Sequence, residues 1–110
     1  MPGAEFGAEV RSHDSTGVID LRGEINLGAD QALMAAYERA VQDDPRTVVL
    51  NFASVDYINS TGIALIVGLL AKARSEGAHL RAVGLTPHYE HIFNITRLSD
   101  YIKIVQPDSK

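Results

Sequence analysis

The chain contains no cysteine, which by itself excludes disulfides, cysteine-based zinc sites and thiol catalysis. It has no tryptophan and few other aromatics. Positive charge is scarce as well: ten Lys and Arg stand against fourteen Asp and Glu, for a formal charge of -4, and the cations form no tract. Phosphate backbones need a positive footprint, so nucleic acid is not expected as the main partner. Long apolar runs are missing. The longest, residues 63–71, contains Gly68 and falls far short of the ~20 residues that cross a bilayer. The opening MPGAEFGAEVRSHDST lacks the charged-then-apolar pattern of a signal peptide.

Catalytic signatures are missing in turn. The segment GIALIVG is apolar and lacks the lysine with which a phosphate loop grips its nucleotide. The serine of NSTG is not preceded by the glycine of Gly-x-Ser-x-Gly, and no His and acid stand out as triad partners. His88 and His91 lie three apart on an expected helix but lack a third ligand, so they read as surface residues and no metal is expected. There is no internal repeat and no low-complexity linker. These absences leave one soluble, cytoplasmic, non-enzymatic domain without a cofactor, long enough for a single modest core.

What is present is a regular alternation of elements. Phe6, Ala8 and Val10 at period two, then Val18 to Ile25, predict two strands divided by the polar turn His13-Asp14-Ser15-Thr16-Gly17, a hairpin signal. Residues 28–42 carry Leu33, Ala36, Tyr37, Ala40 and Val41 at helical spacing, and Asp43-Asp44-Pro45 stops that helix. Residues 47–52, TVVLNF, are apolar on consecutive positions and predict a strand buried on both faces. Asn59, Ser60 and Thr61 offer capping oxygens to a helix over about residues 61–75, ended by Glu76-Gly77 with Lys72 and Arg74 in its last turn. Residues 79–83 predict a further strand. Thr86-Pro87 opens a short helix to about residue 94, a turn follows at 99–101, and residues 102–105 form the last strand. The order β-β-α-β-α-β-α-β calls for right-handed crossovers and a mixed, mostly parallel sheet of about five strands with three to four helices.

Two features stand out from that frame. The helix after Ser60 is apolar almost all round, which fits burial against the sheet, an exposed docking surface, or both. Gly68 inside it costs about 1 kcal/mol against alanine, which points to close backbone packing there. Ser60 itself, taken alone, reads as an ordinary helix cap. Asp20, Arg22, Glu24 and Asn26 at period two read as a solvated strand face.

Taken together, TVVLNF, ASVDYI, NSTG, IALIVGLLAKARSEG, LRAVGLTP and IFNITRLSDYIKI, with the early LRGEINLGADQAL, resemble the STAS domain of bacterial anti-sigma factor antagonists. The resemblance covers about residues 5–106, with a polar tail at 107–110, and implies one STAS-like α/β domain in which ASVDYI is a loop. It implies a phosphorylated serine at the start of the second helix: Ser60, with Thr61 as the alternative. Asn59 stands where the family's Asp-Ser-Ser/Thr-Gly motif carries its acid. The implied partners are an anti-sigma factor that is a serine kinase, bound through Glu24, Asn26, Asn59, Ser60, Thr61 and Gly62, and a metal-dependent serine phosphatase. Binding of the kinase by the unphosphorylated domain frees a sigma factor. Other members of the family suggest a scaffold subunit of a stressosome-like or lipid-transport complex, or a module that binds a nucleotide or lipid. Monomer and homodimer both stay open.

Overall fold

The computed structural model describes residues 5–42 and 46–105, so the expected helix stop at 43–45 and the polar tail at 107–110 lie outside the described residues. Strand β1 (Gly7–His13) pairs antiparallel with β2 (Thr16–Ile25), His13 opposite Thr16. The turn between them is Asp14-Ser15, both in the left-handed region at φ 51 and 66, the backbone that a two-residue hairpin needs to match strand twist. Gly17 therefore belongs to the strand and not to the turn.

After β2 the chain alternates: helix α1 (Asp30–Ala40), strand β3 (Thr47–Ile58), helix α2 (Ser60–Ser75), strand β4 (His79–Val83), helix α3 (Pro87–Ile95) and strand β5 (Lys103–Val105). The sheet order is β1-β2-β3-β4-β5, parallel from β2 onward. Because that order never reverses, three right-handed crossovers put all three helices on one face of the sheet. The expectation that β3 is buried on both faces is corrected accordingly. Val48, Leu50 and Phe52 are buried under the helices, while Thr47, Val49 and Asn51 on the other face are only half-covered.

The core lies between sheet and helices. Ile19, Leu50 and Leu80 from the strands meet Leu33 and Tyr37 of α1, Ile66 and Leu69 of α2, and Phe93 of α3, all almost fully excluded from solvent. Phe93 meets Phe52 edge to face, with ring centroids 5.9 Å apart. Around this core the element boundaries shift in places. The first turn of the expected helix at 28–42 is a 3-10 turn, Leu27–Ala29, capped by Asn26, and α-helical winding runs only from Asp30 to Ala40. Ile102 is buried in the turn before β5 and does not belong to the strand.

The largest correction concerns ASVDYI. It is not a loop: β3 continues through it to Ile58, held by parallel pairing with the end of β2, Glu24 opposite Tyr57 and Ile25 opposite Ile58. Irregularities between Asp20 and Arg22 and between Gly23 and Glu24 absorb the mismatch in length, Gly23 at φ 80 supplying a conformation that other residues resist. Both strands thus reach the same end of the sheet, where α2 begins.

Candidate functional site

At Ile58 the chain leaves β3 and turns directly into α2. Asn59 is extended, and its Oδ1 accepts a hydrogen bond of 2.8 Å from the Gly62 N–H. Asn59 is therefore the cap, and Ser60 is the first residue of the helix proper. An amide does this as well as a carboxylate does, so the helix start needs no acid at 59. With the capping role taken, the Ser60 side chain is exposed, and its hydroxyl has no hydrogen-bond partner among the described residues. The reading of Ser60 as an ordinary cap is set aside by that geometry. Thr61 next to it is only half-exposed.

Gly62 is buried, and its contribution is steric. A side chain there would run into the Ile25 carbonyl oxygen and meet Ile58 Cγ2 at 3.0 Å. The same carbonyl accepts a 3.2 Å hydrogen bond from the Asn59 N–H, so the end of β2 is tied to the start of α2 on both sides of Ser60. A third tie comes from α3. The buried Ile58 N–H donates to the Tyr89 hydroxyl at 2.9 Å, which satisfies a backbone donor that would otherwise be stranded at the end of the strand. The void bounded by Val55, Ile58, Leu85 and Tyr89 measures only about 10 Å³. That is the room of a single water, so the end of β3 packs closely against α3.

Around Ser60 the surface is assembled from β2 and β3. Glu24 and Asn26 are half-exposed beside the helix start, Glu24 opposite Tyr57 in the strand register. Asn26 is partly committed, since its Oδ1 accepts from the Gly28 N–H at 2.9 Å and closes the 3-10 turn. All six residues expected at the site, Glu24, Asn26, Asn59, Ser60, Thr61 and Gly62, thus meet at one end of the sheet. Two apolar side chains there carried no sequence signal: Leu27, 67% exposed on the turn that packs against α2, and Tyr57, 51% exposed at the end of β3. Tyr89 gave none either, because its hydroxyl bond links α3 to a residue far away in sequence.

Helix α2 divides its apolar residues between two duties. Ile66, Leu69, Leu70 and Ala73 are buried, whereas Ala64, Val67, Gly68 and Ala71 face outward along the line that starts at Ser60. Gly68 is a correction: a Cβ there would find nothing within 4 Å, so no close packing explains it. His88 and His91 are both exposed on α3, and among the described residues no three His, Asp or Glu side chains gather as a metal site. No helix among the described residues is long and apolar enough to cross a membrane.

The fold has counterparts among known proteins. The family model of the STAS domain matches residues 7–108. An anti-sigma-B factor antagonist of Staphylococcus epidermidis is 27% identical over 96 residues, covering 87% of this chain and 89% of the relative. The crystal structure of an anti-sigma factor antagonist from Mycobacterium paratuberculosis superimposes with a TM-score of 0.76 at 23% identity, over 94% of this chain and 87% of that one. The Bacillus cell fate determinant SpoIIAA in its phosphorylated form gives a TM-score of 0.67 at 20% identity, over 94% and 93%. With the family model matching nearly the whole described chain, the chain belongs to the STAS domain family.

Proposed function

We propose that this protein is an anti-sigma factor antagonist, a non-catalytic switch that binds an anti-sigma factor kinase and is turned off by phosphorylation at Ser60. The observation that carries the reading is the uncommitted Ser60 hydroxyl, exposed at the first position of α2 while Asn59 does the capping. A likeness to antagonists along most of the chain, and to one neighbour solved in a phosphorylated form, supports it.

The switch follows from local chemistry. The kinase transfers the γ-phosphoryl group of ATP to Ser60 Oγ; the new P–O ester bond forms as the bond to ADP breaks, and the hydroxyl proton leaves. The product carries about -1.5 to -2 charge at a helix start, where unpaired N–H groups and the dipole accept it, so the fold is not strained. The partner faces a different balance. The unmodified surface offers Leu27, Tyr57, Ala64 and Val67 around a neutral hydroxyl, and a phosphate placed among them must be desolvated on docking. Kinase released by the modified antagonist is then free to hold its sigma factor, and a metal-dependent serine phosphatase resets the switch.

Mass spectrometry of the intact protein after incubation with ATP and a cognate kinase-type anti-sigma factor tests this. One added phosphate is expected, placed on Ser60 by fragmentation. Phosphate on Thr61 or Ser54 with Ser60 unmodified would overturn the assignment.

A further inference from the structure

The end of the sheet away from Ser60, where β4 and β5 begin, carries a second constellation. Two surface concavities of about 340 and 330 Å³ adjoin there and share His79, Leu80 and Tyr101. Arg74 lines the first; Arg81, Lys103 and Thr47 line the second, and among the described residues neither lining includes an acidic one. In a chain of net charge -4 such a one-signed lining stands apart.

The cations are also uncompensated among the described residues. Arg81 and Lys103 are direct partners across the parallel pair of β4 and β5, so two like charges stand side by side on the open face of the sheet. Like charges directly opposite on neighbouring strands destabilise the pair. Neither forms an ion pair among the described residues. The nearby acids are committed elsewhere, Glu76 to the Tyr37 hydroxyl and Lys72, and Asp100 to Arg97. Arg74 lies over the face of Tyr101, its guanidinium carbon 4.6 Å from the ring centroid, and holds that exposed ring between the two concavities.

We infer that this cleft binds a phosphate-bearing anion. Its phosphate sits between Arg81 and Lys103, within reach of His79 and Thr47, and its less polar body lies along the exposed ring of Tyr101. The volume of each lobe lies at the lower end of the range of small-molecule sites. A tetrahedral anion with several acceptor oxygens can bridge two donors on adjacent strands and relieve their repulsion. A soluble phosphate ester and an anionic lipid headgroup share this chemistry.

Pyrophosphate serves as the soluble probe, titrated at low salt into the ¹⁵N-labelled protein against chloride at matched ionic strength. Saturating shifts are expected at the amides of His79, Leu80, Arg81, Tyr101, Ile102 and Lys103. In the double variant Arg81→Gln/Lys103→Gln, with its fold verified by circular dichroism, affinity should fall at least about tenfold, the effect of losing two charge-assisted contacts. The same proteins are sedimented with vesicles of equal parts phosphatidylglycerol and phosphatidylcholine. Pelleting that the double variant loses would assign the phosphate to a lipid headgroup; pyrophosphate saturation without pelleting would assign it to a soluble ester. No response to either probe up to about 10 mM phosphate, a weak limit of affinity, would overturn the site, as would a response that the double variant keeps. Ser60→Ala should bind pyrophosphate like the parent, which separates this inference from the switch at the other end.

Discussion

Ser60 and Gly62 lie two residues apart and answer to different physics. Ser60 is exposed and makes no side-chain hydrogen bond among the described residues, so Ser60→Asp removes none of these bonds and adds a charge at the favourable end of the α2 dipole. Its melting temperature should match the parent within the ~0.5 kcal/mol typical of surface changes, while binding to the anti-sigma factor should weaken strongly. Gly62→Ala should do the reverse to stability. Its methyl group meets the Ile25 carbonyl, and overpacking of that kind costs about 1–3 kcal/mol. Thermal melts of both variants beside a binding titration of Ser60→Asp decide the matter. A Gly62→Ala protein that melts with the parent would mean that the helix start can back away from β2. An unweakened Ser60→Asp would remove charge as the basis of the switch. Asn59 was legible as a capping residue because amides suit that position, but sequence could not apportion the cap among three neighbouring polar side chains. Only the 2.8 Å bond from Gly62 frees the serine.

Helix α2 shows what sequence could and could not supply about an element. Its Glu76-Gly77 end follows from local pattern, as does the Thr86-Pro87 start of α3, where Thr86 Oγ1 accepts from the Tyr89 N–H at 3.3 Å, whereas an all-round apolar helix gave no sign of which residues it buries. The second half of β3 was not legible. Ser54, Asp56 and Tyr57 are exposed and carry no strand alternation; pairing with β2 extends them, and that partner lies some thirty residues earlier, Glu24 opposite Tyr57. Gly68 was misread for the opposite reason, because composition cannot tell a glycine that admits a neighbour from one that faces open solvent. Since a Cβ at 68 meets nothing, Gly68→Ala should stabilise the helix by about 0.5–1 kcal/mol, and the melt should rise by a few degrees. A drop in melting temperature would show that the bare backbone there is needed by the fold. If stability rises while binding to the anti-sigma factor falls, the smooth outer face of α2 is part of the interface, and the glycine is kept for the partner.

Across the whole molecule, one hydrogen bond ties the last turn of α1 to the end of α2 and should be visible from both ends of the pH scale. The buried Tyr37 hydroxyl donates to Glu76 Oε1 at 2.8 Å. Burial first, and then this bond to a carboxylate, push the Tyr37 pKa well above its usual range. Glu76 is moved the other way, held below the ordinary carboxylate range by the Tyr37 hydroxyl first and by Lys72 second. Asp20 on the open face is lowered too, chiefly by its hydrogen bond from Arg11, against some desolvation and with help from Asn51. For the two carboxylates the folded state binds protons less readily than the unfolded chain. Their stabilisation is complete above the ordinary carboxylate pKa of about 4 and is lost as pH falls through the folded values. For Tyr37 the folded state keeps its proton longer, so that contribution is complete below about pH 10 and is lost as pH rises toward the folded value. Melting temperature should therefore be flat around neutrality and decline on both sides. Tyr37→Phe removes the donor from Glu76 and the phenol from the core together, so it should flatten part of the acid decline and part of the alkaline one. Lys72, raised by Glu38 and Glu76, and Asp20 keep the remainder. Thermal melts of both proteins from acid to alkaline pH test the assignment: a Tyr37→Phe profile that parallels the parent at every pH would mean that the bond between α1 and α2 carries no linkage.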